Sequence, residues 1–320
     1  MDAICQLVTN IQKAMKEKKH LTAIFFDLEK AYDTTWRAEV IKPLLNMGIR
    51  DQTLTFFKNF LNNRRFVVRI GDSTSAEKEQ KEGIPQGSVL SVICFALAIN
   101  DITDKLPKEI KRSIYVDDLV IYATAKKGNL SDRLLQNCIS LLEKWAKKKG
   151  VRFSKSKTVT LKFQRTSDKI DPELFLDGER IQTVKETKYL GMYMDSHLNW
   201  SKQIEYLYHS YISGINMLRI ISGLEWSADR ESLFSIYQAL VLSKIDYGSQ
   251  FYNSASEHLL KRVEVLQNEC LRICSGAFKS SPIDSLQVET NTLPPLKYRK
   301  DITSIKFLFK LESNPQSLNI

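Results

Sequence analysis

Two adjacent aspartates inside an otherwise apolar stretch limit the possible folds of this chain more than any other feature of its sequence. Residues 114–125 are largely apolar, but Asp117 and Asp118 lie within them. Burying an uncompensated carboxylate costs several kcal/mol, so such a pair belongs at a turn near solvent or beside a cation. The stretch therefore predicts a β-hairpin with the two aspartates at its tight turn.

A third aspartate ends another apolar strand. Residues 21–27 have the pattern of a largely buried strand, with Asp27 at its C-terminal end. Mg²⁺ commonly binds one or two protein carboxylates together with substrate phosphates, and two such ions can activate a hydroxyl in phosphoryl transfer. Taken singly, Asp117 and Asp118 fit an ordinary turn pair, and Asp27 fits a cap at a strand end. The carboxylates alone leave both interpretations open.

The remaining pattern divides the chain into a mixed α/β part, which ends near residue 194, and an all-helical part. Apolar periodicity predicts helices at 2–18, 36–47, 51–62, 89–100, 131–149, 200–222, 229–246, 256–275 and 296–312. Turn signals and apolar runs predict a hairpin around Gly71-Asp72 and strands at 151–163, 174–176 and 187–194. Since the longest apolar runs have only the length of strands, no membrane-spanning helix is expected.

The excess positive charge lies in the first three-fifths of the chain. The sequence has 47 Lys and Arg against 37 Asp and Glu, a net charge of +10. Residues 1–191 hold 34 basic and 24 acidic side chains, whereas residues 192–320 hold 13 of each. A cationic domain of this kind suits a polyanionic partner such as nucleic acid, because each neutralised phosphate releases counterions. A solvated basic surface accounts for the charge equally well.

The cysteines bear on the compartment. Five cysteines leave one unpaired in any full disulfide scheme, and the sequence has no C-x-x-C pair. This pattern predicts a reducing, intracellular compartment and no zinc site. The first residues also lack the basic and apolar regions of a signal peptide.

Five short segments carry a resemblance to a known family. In order and spacing, Phe26–Asp33, Gly83–Ser88 and Tyr115–Asp118 resemble motifs A, B and C of reverse transcriptases. Downstream, Phe153–Thr158 resembles motif D, and Tyr189-Leu190-Gly191 resembles motif E, the primer grip. The adjacent aspartates are specific for this family when they occur together with the G-x-P-Q-G loop. The longer strings are similar to polymerases of non-LTR retrotransposons, especially the Jockey-like group of insects.

The resemblance implies an α/β (α+β) fold, a right-hand polymerase with an antiparallel-sheet palm and an α-helical thumb. Residues 1–26 would be a remnant of the fingers, 21–194 the palm, and 195–320 the thumb with a C-terminal extension. These polymerases carry a fingers segment before motif A, but only 26 residues precede Asp27. The chain is therefore expected to be truncated at its N-terminus, with most of the fingers missing and Met1 an internal methionine of a longer reading frame.

The family also implies a metal site. Asp27 and Asp117 would ligate two Mg²⁺ ions, with Mn²⁺ as a possible substitute. The backbone carbonyl of Leu28 would complete one coordination shell, and Asp118 would support the site from beside them.

Other roles carried over from the family concern the substrates. Tyr32 would be the steric gate against a ribose 2′-hydroxyl, although the position also suits a core tyrosine. Gln86 and Gly87 would line the pocket near the templating base and the incoming nucleotide. Lys157 would lie near the pyrophosphate leaving group, although it also fits a solvated lysine on a strand. The turn Tyr189-Leu190-Gly191 would contact the primer.

The expected activity is RNA-directed DNA synthesis, in which deoxynucleoside triphosphates (dNTPs) are added to the 3′-hydroxyl of a DNA primer on an RNA template. Such a protein would work in the nucleus and cytoplasm, without a membrane partner. Two departures from the family pattern are Val116, where alanine is common, and Ser154, where asparagine is frequent. One alternative is an inactive nucleic-acid-binding remnant or a host-retained fragment. A second is a two-metal nuclease that uses the same carboxylates.

Overall fold

The computed structural model divides the chain into two compact units. The described residues are 2–126, 128–165, 171–223, 228–252, 254–291, 301–302, 304–306, 308–309 and 312. One unit, called here the sheet unit, consists of residues 17–162 and 166–184. The other, called the helical unit, consists of residues 1–16, 163–165 and 185–320. The assignment of residues to fingers, palm and thumb stays a prediction.

Helices and strands alternate irregularly along the chain. Up to residue 125 the elements are α1 (Asp2–Lys16), β1 (His20–Phe26), α2 (Ala31–Thr34), α3 (Arg37–Asn46), α4 (Asp51–Leu61), β2 (Arg65–Phe66), β3 (Arg69–Ile70), β4 (Ser73–Thr74), β5 (Lys78–Glu79), α5 (Val89–Ile99), β6 (Lys111–Tyr115) and β7 (Asp118–Ala125). They are followed by α6 (Gly128–Lys149), β8 (Val159–Phe163), β9 (Phe175–Leu176), β10 (Glu179–Arg180), β11 (Gln182–Val184), β12 (Glu186–Tyr189) and β13 (Met192–Asp195). The described helices after residue 200 are α7 (Ser201–Ile221), α8 (Arg230–Tyr237), α9 (Ser243–Asp246), α10 (Ser249–Tyr252), α11 (Glu257–Ser275) and α12 (Ile283–Glu289).

The mixed α/β class is confirmed, but three predicted elements differ from the structure. The single strand predicted at 187–194 is a hairpin of β12 and β13, because the chain reverses at Leu190-Gly191. The strand predicted at 151–163 is regular only from Val159, because a polar turn at 155–157 interrupts it. The helix predicted at 229–246 is broken into α8 and α9 by a π-helical turn at Gln238–Leu242. The helix predicted at 296–312 lies largely outside the described residues. Among the described helices, none is both long enough and apolar enough to cross a membrane.

The centre of the sheet unit is a five-stranded sheet in the order β11-β8-β1-β7-β6. Strand β1 is buried along its whole length and pairs antiparallel with β7, which pairs antiparallel with β6. The expected antiparallel sheet is therefore present at this edge. The pair β11–β8 is instead parallel, and the connection between these two strands includes the β9–β10 hairpin. A parallel pair needs such a crossover connection, which strand patterns alone do not reveal.

Two helices provide most of the core behind the sheet. Helix α5 is almost wholly apolar, and α6 presents one apolar face. Their side chains join those of β1 and β7 in a single buried cluster. Members of this cluster include Ile24, Phe26, Phe95, Leu119, Ile121, Cys138, Leu142 and Trp145. Because this cluster is closely packed, it holds in place the ends of β1 and β7, where the aspartates lie.

A buried ion cluster ties α3 to α6. Lys149 is only 8% exposed, and its Nζ lies 2.8 Å from Glu39 Oε2 and 3.0 Å from Asp101 Oδ2. The indole Nε1 of Trp145 donates to the second oxygen of Asp101 at 2.9 Å. Lys42 holds the second oxygen of Glu39 at 2.6 Å. Sequence analysis did not identify this cluster, because Lys149 occurs in a run of lysines typical of an exposed helix end.

The helical unit is organised around α7, which packs against α8, α11 and the β12–β13 hairpin. The carboxylate of Asp195, at the end of β13, accepts a hydrogen bond from the backbone N–H of Trp200 at 2.8 Å. The Trp200 side chain is fully buried and donates to Ser254 Oγ at 2.9 Å. Close packing continues at Gly214, where an added Cβ would lie 2.9 Å from Val241 Cγ2. These contacts fix the start of α7 to the hairpin and to Ser254, and its middle to the π-helical turn.

Candidate active site

The strand register brings the predicted aspartates to one end of the sheet. The last pair of the β1–β7 ladder is Phe26↔Leu119, so the next step places Asp27 opposite Asp118. The last pair of the β6–β7 hairpin is Tyr115↔Asp118, which leaves Val116 and Asp117 as the two turn residues. The predicted hairpin is therefore confirmed, with Asp117 in its turn and Asp118 as the first residue of β7.

The turn itself is strained. Val116 has a φ of +56°, a region that β-branched residues rarely adopt. A positive φ at the first turn residue is typical of a type II′ turn, in which glycine is the usual choice. Such strain costs of the order of 1–3 kcal/mol, and it persists where the surrounding structure fixes the backbone. The pairing of β6 with the largely buried β7 fixes the backbone here, and the turn presents Asp117 to solvent.

The three carboxylates act on one another electrostatically. Partial burial raises the pKa of Asp118, and the negative charges of Asp117 and Asp27 raise this pKa further. Lys157 Nζ lies 3.6 Å from Asp27 Oδ2, but both side chains are largely open to water, at 72% and 41% exposure. An ion pair this exposed is worth less than about 1 kcal/mol. Lys157 therefore offsets only a small part of the negative charge at this end of the sheet.

A bridge between two loops fixes the backbone around Asp27. Leu28 and Phe153 form an isolated antiparallel bridge. In it the Ser154 N–H donates to the Asp27 carbonyl at 2.7 Å, and the Glu29 N–H donates to the Arg152 carbonyl at 2.9 Å. These two hydrogen bonds fix the backbone on both sides of Leu28, and the role of its carbonyl as a ligand stays a prediction.

A tight turn after this bridge brings Lys157 to Asp27. The Thr158 N–H donates to the Ser154 carbonyl at 2.9 Å, and the Lys157 N–H donates to the Ser154 hydroxyl at 3.3 Å. The hydroxyl of Ser154 thus closes the turn where the strand was predicted to run straight. Ser154 also replaces the asparagine that is frequent in the family, and its side chain has a defined structural task.

The G-x-P-Q-G loop is fastened to helix α2. The Ile84 N–H donates to the Tyr32 carbonyl at 2.6 Å, and the Gly83 N–H donates to the Thr35 carbonyl at 3.1 Å. An added Cβ at Gly83 would lie 2.5 Å from the Asp33 carbonyl oxygen, so only glycine permits this approach. Motifs A and B are therefore one connected structure.

The side chain of Tyr32 joins the core to the carboxylates. Its ring stacks on Phe95, with centroids 4.8 Å apart and an angle of 24° between the planes. Burial raises the pKa of the Tyr32 hydroxyl, and the charge of Asp117 raises this pKa further. Tyr32 is half-buried, so its ring packs on Phe95 while part of the side chain stays accessible. The packing and substrate-facing interpretations of this residue are compatible.

Gln86 and Gly87 lie on the exposed side of the loop. The Gln86 Nε2 donates to Asp33 Oδ1 at 3.0 Å. Gly87 has a φ of +87°, and no other group lies within 4 Å of an added Cβ. The backbone at Gly87 is thus open to the close approach that its predicted role requires.

The structure adds three residues that sequence analysis did not identify. A cleft of about 460 Å³ next to Gln86 is lined by Arg64, Arg65 and Phe66 together with loop residues. A basic pair followed by an aromatic residue is the available sequence signal. Arginine and aromatic side chains are common in surfaces that bind nucleic acid strands.

The predicted primer-contacting turn belongs to the helical unit. Leu190 and Gly191 form the two-residue turn of the β12–β13 hairpin, with φ values of +46° and +82°. Tyr189 is only 3% exposed, so its ring supports the hairpin from the core. Any direct contact with a primer would come from Leu190 and Gly191.

The residues around this turn have the character of a nucleic-acid surface. Lys188 Nζ lies 4.8 Å from the centroid of the Tyr206 ring and 5.5 Å from that of Tyr193. The two rings are 5.2 Å apart. Tyr206 is 40% exposed, and such exposed aromatic rings beside cations suit base stacking and phosphate binding.

The negative charge of the carboxylates suits a divalent cation, but their arrangement is not a complete set of metal ligands. Within the described part of the chain, no three His, Cys, Asp or Glu side chains are close enough to form a metal-binding group. Mg²⁺ nevertheless needs only one or two protein carboxylates when substrate phosphates supply the remaining oxygens. The mutual repulsion at Asp118 is the observation that favours a cation here.

Comparison with known proteins identifies the family. Residues 1–194 match the family described as "Reverse transcriptase (RNA-dependent DNA polymerase)". The chain belongs to the reverse transcriptase family. This reverse transcriptase chain is 23% identical over 312 residues to the RNA-directed DNA polymerase from mobile element jockey of Drosophila funebris, which covers 96% of the chain and 34% of that protein.

A second curated relative agrees with this assignment. The probable RNA-directed DNA polymerase from transposon BS of Drosophila melanogaster is 23% identical over 279 residues, covering 85% of this chain and 31% of that protein. Among solved structures, apo telomerase from Candida Tropicalis has a TM-score of 0.49 and 12% identity, covering 90% of this chain and 47% of that one. The chain spans about a third of the length of these curated relatives. The resemblance to Jockey-like polymerases is confirmed, and the roles of individual site residues stay predictions.

Proposed function

We propose that this chain carries the catalytic centre of an RNA-directed DNA polymerase of a retrotransposon. The observation that carries the proposal is the register that puts Asp27 opposite Asp118, with Asp117 in the adjoining turn. Tyr32 and the G-x-P-Q-G loop are fastened beside this end of the sheet. The reaction is nucleotidyl transfer from a dNTP to the 3′-hydroxyl of a DNA primer.

Asp27 and Asp117, with the Leu28 carbonyl, would hold two Mg²⁺ ions, and Mn²⁺ is a possible substitute. When bound, such ions activate the attacking hydroxyl and neutralise the charge on the transferring phosphate. Asp118 adds negative charge beside the two ligands and is itself perturbed by them. Lys157 places an exposed ammonium group next to Asp27, where it would neutralise the departing pyrophosphate or donate a proton to it.

The other groups select and position the nucleotide. The stacked ring of Tyr32 would exclude a ribose 2′-hydroxyl, because Phe95 prevents the ring from moving away. Gln86 would contact the base pair being formed, and the open backbone of Gly87 would allow close approach of the substrate. Positioning of this kind supplies much of the catalysis in phosphoryl transfer.

The nucleic-acid partners follow from charge and surface chemistry. The net charge of +10 belongs entirely to residues 1–191, which suits sequence-independent contacts with phosphates. Lys188, Tyr193 and Tyr206 add an aromatic and cationic surface beside the predicted primer-contacting turn. An RNA template paired with a DNA primer is the proposed partner. The nucleus and cytoplasm are the proposed site of action.

Single-nucleotide extension of an end-labelled DNA primer on an RNA template tests the proposal. Extension is expected to be weak at ordinary dNTP concentrations, so the assay uses a wide range of them. At the highest, the wild type should lengthen the primer in Mg²⁺, and Asp117→Asn should not, because the change removes a ligand charge without adding bulk. Asp72→Asn, on an exposed hairpin tip, is the matched control and should extend at the wild-type rate.

The same gel separates the alternatives. A primer shortened by the wild type but not by Asp117→Asn indicates the two-metal nuclease. Duplex binding without extension at any dNTP concentration indicates the non-catalytic remnant. Extension by Asp117→Asn at the wild-type rate would remove Asp117 from the site.

A further inference from the structure

The two-residue turn of the β12–β13 hairpin has a backbone that its sequence does not favour. Leu190 has a φ of +46° and Gly191 a φ of +82°, as in a type I′ turn. Such turns usually place asparagine, aspartate or glycine at the first position, because other residues are strained there. Leucine in this position therefore needs support from outside the hairpin.

Tyr247 supplies that support. Its hydroxyl donates a hydrogen bond to the Leu190 carbonyl at 2.6 Å. Its ring Cε1 lies 3.4 Å from the position of an added Cβ at Gly191, so the ring also lies against the second turn residue. Both contacts lie within the helical unit.

The residue after Tyr247 holds the strand that follows the turn. Gly248 has a φ of +73°, and an added Cβ there would clash with the Met192 sulfur. Met192 is fully buried, as the first residue of β13. The dipeptide Tyr247-Gly248 thus contacts the turn and its exit strand.

The segment that carries Tyr247 is itself fixed. Tyr247 directly follows α9 and leaves the helix with an extended backbone, at a ψ of 113°. The buried Tyr252 hydroxyl donates to the Ile245 carbonyl. A π-helical turn precedes α9, and π-helical turns occur frequently at functional sites. Tyr247 is therefore presented to the hairpin from an anchored position.

We propose that Tyr247 is a positioning residue that keeps the Leu190-Gly191 turn in the shape needed to place the primer 3′-end for extension. The proposal rests on the proposed function of the chain, because it gives the turn a task in polymerisation. Duplex affinity comes mainly from phosphates along the helix, whereas the rate depends on the placement of the terminal hydroxyl. Loss of the Tyr247 hydroxyl should therefore lower the extension rate and leave duplex affinity nearly unchanged.

The test is Tyr247→Phe, which removes one oxygen and keeps the ring. Single-turnover extension at saturating duplex should fall about fivefold to tenfold, the factor that one net hydrogen bond supplies. The duplex Kd should change less than about twofold. Tyr208→Phe removes the same atom from a half-buried tyrosine on α7 and should change neither quantity.

A second background distinguishes turn support from general destabilisation. Leu190→Gly adopts a positive φ without strain, so the hydroxyl becomes dispensable. In that background Tyr247→Phe should cost less than about twofold in rate. An equal loss in both backgrounds, an equal loss in Kd and rate, or no loss at all would overturn the proposal.

Amide hydrogen exchange gives a readout that does not depend on polymerisation. The Gly191 and Met192 amides should exchange faster in Tyr247→Phe and return to the wild-type rate when Leu190→Gly is added. Unchanged exchange would overturn the proposal even where extension is robust. If the variants show this exchange pattern but the wild type does not extend a primer, the proposed function is refuted and the support of the turn by Tyr247 stands.

Discussion

Replacing Lys149 by methionine should destabilise the sheet unit, because it leaves two carboxylates without their shared cation. Lys149 is 8% exposed and contacts Glu39 at 2.8 Å and Asp101 at 3.0 Å. Removing one partner of a buried ion pair costs about 3–5 kcal/mol. Lys42 still pairs with Glu39, Trp145 still donates to Asp101, and the Asp101 side chain is 47% exposed, so we expect the lower end of that range.

Thermal unfolding measures the effect. A loss of about 3 kcal/mol corresponds to a fall in Tm of about 6–12 °C for a unit of this size. Lys148→Met, one residue earlier and exposed, is the matched control and should change Tm by less than about 2 °C.

The effect should also depend on pH in a defined way. Burial opposes the charged forms, but hydrogen bonds outweigh it and hold the pKa values of Glu39 and Asp101 below their ordinary range. Lys149 and Lys42 lower the pKa of Glu39, and Trp145 and Lys149 lower the pKa of Asp101. For Lys149, hydrogen bonds from the same carboxylates outweigh burial and hold its pKa above the ordinary value of 10.5.

These signs fix the pH window. The lowered carboxylate pKa values give stability that is present above their ordinary values and lost as pH falls through the lowered ones. The raised lysine pKa gives stability that is present below 10.5 and lost as pH rises through the raised value. The difference between wild type and Lys149→Met should therefore be constant between about pH 5 and pH 10 and shrink in stronger acid. A loss below about 1 kcal/mol at pH 7, or a difference that grows in acid, would refute this reasoning.

Three further variants test the site. Asp118→Asn should raise Tm at pH 7 in a chelator, because burial and the charges of Asp117 and Asp27 raise the Asp118 pKa and make its ionised form unfavourable. The gain in Tm should vanish below the ordinary aspartate pKa, and a gain that persists there contradicts the electrostatic account. Tyr32→Ala should lower the ratio of kcat/KM for deoxynucleotides to that for ribonucleotides, whereas Tyr32→Phe keeps the ring and should leave this ratio unchanged. An unchanged ratio in Tyr32→Ala would show that Tyr32 is only a packing residue. Gly83→Ala should cost more than about 2 kcal/mol of stability, because a Cβ there would lie 2.5 Å from the Asp33 carbonyl oxygen. In the control Gly87→Ala the Cβ meets open space, so that change should cost only backbone strain. Equal costs would show that the loop is not held against α2.

Sequence patterns predicted the part of the site that depends on neighbours along the chain. Apolar runs ending in aspartate predicted β1 and the β6–β7 hairpin, because alternation and turn chemistry are local properties. The motifs predicted the loop at Gly83–Ser88 beside them. The family resemblance predicted that Lys157 lies near the leaving group but did not predict its contact with Asp27. The turn that the Ser154 hydroxyl closes brings Lys157 to Asp27.

What sequence patterns did not predict depends on partners far apart in the chain. Lys149 resembles its exposed neighbours, and its burial depends on Glu39, more than a hundred residues earlier. The support of Leu190 by Tyr247 joins residues 57 positions apart. The parallel pairing of β11 with β8 likewise follows from the tertiary crossover and not from the strands themselves. Tertiary packing, not local propensity, decides each of these features.

The central claim is that the carboxylates at the end of β1 and β7 carry out nucleotidyl transfer. Single-turnover addition of one dNTP to a DNA primer on RNA, by wild type and Asp27→Asn, tests it most directly, with the duplex Kd measured in the same preparations. The account predicts that the wild type extends the primer and that Asp27→Asn lowers the extension rate more than about a hundredfold, with the duplex Kd nearly unchanged. A fall this large exceeds the usual effect of changing a group that only orients a metal ligand. Extension by Asp27→Asn within about tenfold of wild type would contradict it.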